Sequence, residues 1–338
     1  MKKFKLNSFS NLIKTNLKNK DLLKLLDKMY YIRLVESKLA EEKKKANIIG
    51  PVHLCIGQEA ISVGISANLH KKKNQIFGNH RSHGHLLSMN TDLKKFFSEI
   101  LGRNNGLSSG MGGSMHLIDK DNGFFGSVPI VGATVPIALG SALASKIKNK
   151  KNIAIAYFGD SALEEGAVQE SLNFASNYNL PILFVVENNF YASHMHISQR
   201  QTSIDASRFA IAYNIKNKSI NGNNAVEVYE KSKELLNYIR DKSKPAFLQA
   251  YTYRWLGHVD WREDIDVGIT RSQKEIILWK KKDPIKQLEN YLINNRNIKE
   301  SIFFTIKNKI LKKIDKSWSA ALKDDYPKNK KLLQYVYS

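Results

Sequence analysis

Two short polar segments follow apolar runs of strand length. Residues 158–162 read FGDSA, and residues 187–191 read ENNFY. Adjacent parallel strands end at the same edge of a sheet, and open sheets bind their ligands there, so we expect Asp160 and Asn189 to be neighbours in space. A carboxylate and an amide oxygen are hard ligands that suit Mg²⁺, which commonly completes its shell with phosphate oxygens. The residues therefore indicate a magnesium and phosphate site, although such short strings also occur without one.

The segments around Asp160 and Asn189 predict the elements that would position them. Residues 152–158 and 182–187 are apolar runs typical of buried strands, and residues 163–177 between them have helical spacing. A strand, a helix and a strand with short connections indicate a mostly parallel sheet with helices on both faces. The predicted helix would direct its free amides and its positive dipole end at the same edge, where they would hold a diphosphate.

The rest of the chain predicts an α/β fold with helical N- and C-terminal extensions. Residues 21–45 and 283–316 repeat apolar side chains at helical spacing. The other predicted elements are helices over 58–69, 92–101 and 136–148, a strand over 247–253 and a glycine–serine loop over 107–113. We expect one compact unit over 22–320, between a basic N-terminal extension (1–21) and a basic C-terminal tail (321–338).

The composition excludes several classes of protein. With 338 residues, of which 42% are hydrophobic and 25% charged, the chain is neither disordered nor fibrous. Its apolar runs are too short for a transmembrane helix. The single cysteine, Cys55, cannot form an internal disulfide, and the first residues lack the apolar run of a secretory signal. We therefore expect a cytoplasmic protein with no membrane partner.

The net charge of +22 comes mostly from the two ends of the chain. Residues 1–50 contain 13 basic and 5 acidic residues, and residues 271–338 contain 17 and 7, whereas residues 51–270 contain 23 and 19. A nucleic-acid-binding protein would gather its positive charge over one face that carries base-stacking aromatic residues. The nearly balanced middle argues against that class, so we expect no nucleic-acid partner.

Six further motifs follow one another in order along the chain. They are HLCIGQEA (53–60), HRSHG (80–84), GMGGSMH (110–116), IVGATVP (130–136), YRWLGH (253–258) and RSQKEIILWKKKDP (271–284). Together with GDS and ENN, they resemble the motifs of the alpha chains of the thiamine-diphosphate-dependent, decarboxylating component of 2-oxo acid dehydrogenase complexes. The resemblance covers roughly residues 22–295.

The resemblance implies the thiamine-diphosphate-binding fold and an oxidoreductase that depends on thiamine diphosphate and Mg²⁺. Such an enzyme decarboxylates a 2-oxo acid such as pyruvate and transfers the acyl group to the lipoyl domain of an acyltransferase component. In this family, the glutamate that activates the pyrimidine ring of the cofactor belongs to a separate beta subunit. We therefore expect a heterotetramer of two alpha and two beta chains, and an alpha chain that is inactive alone.

The resemblance also implies roles for individual residues around the cofactor. Mg²⁺ would be bound by Asp160, Asn189 and the main-chain carbonyl of Tyr191. The diphosphate would lie against Gly159, Ser161, Ala162, Arg81 and His258, and the amides of Ser161 and Ala162 would donate to it. Family members usually carry glycine at position 161, and serine can serve there if its backbone angles are allowed. The carbonyl of Pro129 would accept a hydrogen bond from the pyrimidine amino group, and Val131 would press between the two rings of the cofactor.

Histidines are the candidates for substrate binding and proton transfer, because imidazole titrates near neutral pH. The resemblance directs attention to His53, His83 and His258. Glu59 belongs to a segment that is structural in the family, so we do not assign it the missing glutamate's task. Arg254 is interpreted as an ordinary polar residue.

Departures from the family pattern leave the substrate open. His80 replaces the usual tyrosine, Leu256 replaces a common histidine, and residues 192–201 (ASHMHISQRQ) replace the usual continuation after NNxYG. These polar groups are compatible with a harmless loop variant. They are also compatible with an acetoin dehydrogenase, a carboligase or a transketolase-like enzyme that acts on a polar or sugar-derived substrate.

Overall fold

One parallel sheet forms the centre of the computed structural model, which describes residues 13–70, 73–193, 195–262 and 271–329. The six strands in this part of the chain are β1 (Asn74–Gly78), β2 (Phe124–Ser127), β3 (Ile153–Gly159), β4 (Ile182–Asn188), β5 (Lys216–Asn221) and β6 (Ala246–Tyr251). Their order in the sheet is β2-β1-β3-β4-β6-β5, and every neighbouring pair is parallel. The predicted α/β fold is confirmed.

Helices cover both faces of this sheet. They are α1 (Asn19–Lys44), α2 (Glu59–Ser66), α3 (His83–Ser88), α4 (Leu93–Ile100), α5 (Thr134–Ile147), α6 (Gly166–Asn177), α7 (Ile197–Arg200), α8 (Ser207–Ala212), α9 (Ala225–Lys242), α10 (Gln273–Lys280), α11 (Pro284–Arg296) and α12 (Glu300–Leu322). Ile155 and Tyr157 of β3 face a core that includes α1, α2, α4 and α9. Ala156 and Phe158 of the same strand face a second core with α5, α6 and α8. This alternation is expected, since successive side chains of a strand point to opposite faces.

The element after β3 differs from the prediction. The chain does not enter an α-helix near residue 163, because a short 3₁₀ turn (Asp160–Glu164) comes first and Glu165 is extended, with φ −76° and ψ 131°. The α-helix α6 begins only at Gly166. The main-chain amides next to Asp160 therefore belong to a 3₁₀ turn, whose first N–H groups have no partner inside the turn. The dipole of α6 starts two residues beyond this turn.

The helical C-terminal extension is also divided. The predicted single helix breaks at Asn297, which takes the left-handed conformation with φ 53° and separates α11 from α12. Asparagine tolerates this conformation better than most residues do, so it ends helices much as glycine does. Both helices pack on α1. Glu289 of α11 accepts a hydrogen bond from the Tyr30 hydroxyl and forms an ion pair of 2.9 Å with Lys307.

Residues on both sides of the predicted 22–320 unit pack against it. Thr15 donates a hydrogen bond to Glu230, and Asp324 forms an ion pair of 2.8 Å with Lys94. Residues 1–12 of the predicted N-terminal extension and 330–338 of the predicted C-terminal tail lie outside the described residues. No helix in the part of the chain that the structure describes is both long and apolar enough to cross a membrane.

Candidate active site

A cavity of about 490 Å³ lies at the carboxyl ends of β3 and β4. In the register of these strands, Gly159 stands opposite Glu187, so Asp160 and Asn189 leave the sheet at the same edge. The cavity wall brings together most of the residues that the sequence singles out: His53, Arg81, Pro129, Val131, Gly159, Ser161, Ala162, Asn189, Tyr191 and His258. These residues come from six separate segments of the chain.

Asp160 lies just behind the cavity wall, between the lining residues Gly159 and Ser161. Its side chain is 1% exposed, and its Oδ2 forms an ion pair of 2.5 Å with Nη2 of Arg200. Burial raises the pKa of the Asp160 carboxyl above its usual range, and the charge of Arg200 opposes that rise. Arg200 contacts one of the two carboxylate oxygens.

The turn after β4 positions Asn189 and Tyr191. Phe190 takes a left-handed conformation with φ 69°, and Oδ1 of Asn189 accepts a hydrogen bond of 3.1 Å from the main-chain amide of Tyr191. Asn189 is 8% exposed, and the hydroxyl of Tyr191 donates to Glu275 at 2.8 Å. These contacts fix the direction of both residues at the edge of the cavity.

The donor chemistry of this edge fits a divalent cation. A buried carboxylate, an amide oxygen and a main-chain carbonyl are all hard oxygen ligands. Asp160 and Glu164 contribute two negative charges, and Arg200 contributes one positive charge, so the group keeps a net negative charge. Ser161 and Ala162, which are among the first residues of the 3₁₀ turn, present amides of the kind that bind anions. Ser161 does not take a positive φ, so serine is not strained at this position, where the family usually has glycine.

The opposite wall of the cavity is built from imidazole and guanidinium groups. The ring centroids of His53, His80 and His258 lie 4.8–5.2 Å apart. Burial, followed by the charge of Arg81, lowers the pKa of His53 to about 2 and that of His80 to about 3, and lowers the pKa of His258 as well. The three rings are therefore neutral at physiological pH, and Arg81 and Arg254 supply the positive charge of this wall.

Arg81 links two segments of that wall. Its Nη1 donates to the carbonyl of Leu54 at 2.8 Å, and its Nη2 donates to the carbonyl of His258 at 3.0 Å. Nη2 also lies 3.2 Å from Nδ1 of His258. Because a guanidinium can only donate, Nδ1 of His258 accepts and the ring proton of the neutral imidazole resides on Nε2.

Two buried polar atoms in the wall also favour a polar ligand. Nδ1 of His53 and Oε1 of Gln58 have no hydrogen-bond partner within the described ranges, although the two residues are only 6% and 2% exposed. Buried polar atoms are rarely left unpaired in folded proteins, and ligands are among the groups that satisfy them. Gln58 belongs to a predicted helix and was not expected at the site.

His83 does not reach the cavity. It is fully buried at the start of α3, with Nδ1 3.0 Å from Oε1 of Glu36 and Nε2 2.8 Å from Oγ of Ser114. Both ring nitrogens are thus engaged inside the protein, and the ring packs against Phe96 of α4. The spacing HRSHG places His80 and Arg81 on the cavity and turns His83 toward α1.

The glycine-rich loop holds an internal carboxylate. Four main-chain amides, those of Ser108, Gly110, Gly112 and Gly113, donate to the two oxygens of Glu99 at 2.6–3.1 Å. Glu99 is itself fully buried on α4. Of the GMGGSMH motif, Met115 lines the cavity.

Sequence reasoning gave two arginines of the site no specific role. Arg254 was interpreted as an ordinary polar residue, yet it is 1% exposed and lines the cavity. Its place in the YRWLGH motif, four residues before His258, was the signal that pointed to it. Arg200 belongs to the polar 192–201 departure, but no local signal indicated its partner, because tertiary packing alone brings it to Asp160. Glu59, which the sequence predicts to be structural, is fully buried and pairs with Arg33.

These features are those of a cofactor-dependent α/β enzyme, and comparison with known proteins identifies the family. A family model described as the dehydrogenase E1 component matches residues 27–330. The chain belongs to this family of thiamine-diphosphate-dependent oxidoreductases, as its motifs predict.

Three relatives illustrate the range of the family. The alpha subunit of acetoin:2,6-dichlorophenolindophenol oxidoreductase from Bacillus subtilis is 34% identical over 313 residues, which is 93% of this chain and 92% of that protein. The alpha subunit of the pyruvate dehydrogenase E1 component from Rickettsia bellii is 30% identical over 317 residues, or 94% of this chain and 96% of that protein. The corresponding subunit from Rhizobium meliloti is 35% identical over 270 residues, or 80% of this chain and 76% of that protein.

Proposed function

We propose that this chain is the alpha subunit of a cytoplasmic, Mg²⁺- and thiamine-diphosphate-dependent 2-oxo acid dehydrogenase. It decarboxylates a 2-oxo acid and transfers the acyl group to the lipoyl domain of an acyltransferase component, as part of a heterotetramer of two alpha and two beta chains. The observation that carries the proposal is the cavity at the ends of β3 and β4. One side of this cavity offers hard oxygen ligands and turn amides, and the other offers guanidinium and imidazole groups.

Each side of the cavity suits one part of the cofactor. Asp160, Asn189 and the carbonyl of Tyr191 would hold Mg²⁺, and the amides of Ser161 and Ala162 together with Arg81 would bind the diphosphate. The carbonyl of Pro129 and the side chain of Val131 would hold the pyrimidine end. When bound, thiamine diphosphate supplies the nucleophile and the electron sink for decarboxylation, so the task of the protein is orientation and electrostatics.

The neutral histidines have a defined task in this arrangement. With Nδ1 of His258 accepting from Arg81, the ring proton resides on Nε2, which would donate to an anionic group of the bound cofactor. His53 is buried on the same wall with an unpaired Nδ1 in the described part of the chain, which can exchange a hydrogen bond or a proton with the substrate. Arg81 and Arg254 would add the charge that attracts the substrate's carboxylate.

The rim of the cavity supports the need for a second chain. Ile130, Val131 and Ile137 are 67%, 46% and 51% exposed, and Val131 is also part of the cavity wall. Exposed apolar side chains grouped at a ligand site commonly mark an interface with another protein. A beta subunit seated on this rim would exclude water from the cofactor.

Turnover by the purified chain, assayed with and without its beta chain, tests the proposal. The assay contains Mg²⁺, thiamine diphosphate, a 2-oxo acid and ferricyanide as an artificial electron acceptor. We expect turnover only when both chains are present. Robust turnover by the alpha chain alone, or cofactor binding that is unaffected by Asp160→Asn, would contradict it.

Acetoin is a second candidate substrate. The Bacillus subtilis relative, whose name includes acetoin, is 34% identical over nearly the full chain. His80 and Arg254 also make the cavity wall polar, which suits a hydroxylated substrate such as acetoin or a sugar-derived ketone. A comparison of kcat/KM for pyruvate, branched-chain 2-oxo acids and acetoin, with dichlorophenolindophenol as acceptor, separates the two. A preference of more than tenfold for acetoin would favour this second function.

A further inference from the structure

Arg200 is the side chain that joins the variable 192–201 segment to the proposed metal site. It stands at the end of the single-turn helix α7 and is 7% exposed at its side chain. Its Nη2 contacts Oδ2 of Asp160 at 2.5 Å, its Nη1 contacts Glu164, and its Nε donates to the carbonyl of Met195 at 3.2 Å. The guanidinium thus binds the 3₁₀ turn with two nitrogens and its own segment with the third.

The next residue repeats the same connection. Nε2 of Gln201 donates to the main-chain carbonyl of Asp160 at 3.1 Å and to Oε1 of Glu164 at 2.8 Å. Arg208 in turn donates to Oε1 of Gln201 at 3.2 Å. Side chain and main chain of Asp160 are therefore both held by the segment that departs from the family pattern.

The charges allow a cation to bind beside this guanidinium. Asp160 and Glu164 carry two negative charges against the one positive charge of Arg200, and Arg200 uses only Oδ2 of Asp160. A carboxylate has two oxygens, so Oδ1 can serve as a ligand while Oδ2 is held. Groups that hydrogen-bond to a ligating carboxylate orient it, and their loss typically lowers metal affinity 10–100-fold.

We propose that Arg200 is a positioning residue for the Asp160 metal ligand. By holding Oδ2, the guanidinium presents Oδ1 to the divalent cation and keeps residues 195–201 beside it. This inference rests on the proposed function, because it assumes that Mg²⁺ binds at Asp160. It gives the polar departure from the family pattern a specific role in cation binding.

The sign of one mutational effect separates positioning from simple electrostatics. Arg200→Met removes a positive charge beside the cation, so an effect of charge alone would tighten metal binding. If Arg200 positions Asp160, the same substitution weakens metal binding, because the carboxylate is free to rotate and its orientation must be fixed when the cation arrives.

The experiment uses the full alpha chain co-purified with its beta chain and Mn²⁺ in place of Mg²⁺. Electron paramagnetic resonance measures free Mn²⁺ during a titration in the presence of thiamine diphosphate. Arg200→Met should raise the Kd for Mn²⁺ about tenfold or more. Arg200→Lys, which keeps the charge and one donor, should recover part of the affinity. Arg240→Met is the charge-matched control, since Arg240 of α9 donates to Asn237 and to the carbonyl of Asn68, outside the cavity wall, and we expect wild-type Mn²⁺ affinity for it.

A second readout distinguishes positioning from a general loss of structure. In Arg200→Met, a large excess of Mn²⁺ should restore the wild-type affinity for thiamine diphosphate, and the melting temperature of the metal-free complex should stay within a few degrees of wild type. Unchanged or tighter Mn²⁺ binding in Arg200→Met overturns the inference and leaves the proposed function standing. A wild-type complex that fails to bind Mn²⁺ with thiamine diphosphate overturns the proposed function, and the inference with it.

Discussion

Two regions of this protein contain clustered main-chain amides, and they differ in whether a carboxylate of the same chain accepts from them. In the glycine-rich loop, four main-chain amides from residues 108–113 donate hydrogen bonds to the carboxylate of Glu99. In the 3₁₀ turn Asp160–Glu164, Ser161 and Ala162 line an open cavity. The glycine-rich loop therefore has its acceptor within the chain, whereas the turn is the ligand site that we propose. Glycine content alone does not distinguish the two.

The largest expected effect is a loss of stability when Glu99 is removed from the glycine-rich loop. Glu99→Ala would leave four part-buried amides without their acceptor. It should lower the free energy of unfolding by about 3–5 kcal/mol, since an unsatisfied group costs about 1–3 kcal/mol when it is fully buried. Urea denaturation measures this loss. Glu99→Gln is the control, and it should recover part of the stability because it keeps an acceptor oxygen. Full stability of Glu99→Ala would show that the loop does not depend on its internal carboxylate.

At the 3₁₀ turn Asp160–Glu164, a substitution should weaken cofactor binding more than it lowers stability. Asp160→Asn removes the charged oxygen ligand and should weaken binding of thiamine diphosphate in the presence of Mg²⁺ by about 100-fold, which corresponds to about 2.7 kcal/mol. Isothermal titration calorimetry of the complex with the beta chain measures the change. Stability should be affected less than by Glu99→Ala, because Arg200 retains its contact with Glu164. Equal affinity in wild type and variant would remove Asp160 from the site.

The histidine wall that faces the turn should make stability depend on pH. Burial keeps the pKa of His53 near 2 and that of His80 near 3, below the ordinary value of 6.5, so the unfolded chain binds more protons than the folded one between these values. Stability is therefore full above pH 6.5 and falls as the pH decreases below it, by up to about 1.4 kcal/mol per pH unit for each histidine.

His80→Tyr, which restores the usual family residue, tests this dependence. Between pH 6.5 and 5, the variant should lose about 1–2 kcal/mol less stability than wild type, because one protonation is removed. Urea denaturation at several pH values, with His70→Tyr as a control in another part of the chain, measures the difference. Identical pH profiles for wild type and His80→Tyr would contradict a buried neutral His80.

The smallest effect is expected at Ser161. Ser161→Gly restores the glycine that the family usually has, and it keeps the main-chain amide that we propose donates to the diphosphate. Cofactor affinity should stay within about threefold of wild type, and stability should fall by about 0.5–1 kcal/mol, because glycine gains conformational freedom in the unfolded chain. Calorimetry and urea denaturation on the same sample measure both. A tenfold gain in affinity would mean that the serine strains the turn.

The central part of the fold could be predicted because its sequence signals are local. β3 and β4 are uninterrupted apolar runs, and their position in the middle of the sheet requires such runs. β5, whose sequence is KNKSIN, escaped prediction because it lies at the edge of the sheet and is half exposed. The start of α6 was misplaced because a 3₁₀ turn and an α-helix share similar side-chain spacing.

In the site, too, the residues in local motifs could be predicted, whereas the contacts between distant segments could not. Asp160, Asn189, Arg81 and His258 lie in short motifs, so the sequence directs attention to them. The contacts of Glu99 with the loop and of Arg200 with Asp160 join segments 9–14 and 40 residues apart. No local pattern specifies which amides donate to Glu99 or which carboxylate pairs with Arg200, because tertiary packing determines both contacts. For the same reason, the motif containing His83 gave no indication that the ring turns toward Glu36.

The central claim, that the end of β3 and β4 binds a metal and thiamine diphosphate, is tested most directly by anomalous diffraction. Crystals of the complex with the beta chain, soaked in Mn²⁺ and thiamine diphosphate, would show the metal as an anomalous peak. We expect this peak about 2.0–2.3 Å from oxygens of Asp160 and Asn189 and from the main-chain carbonyl of Tyr191. A peak elsewhere, or bound cofactor with no metal at Asp160, would contradict the claim.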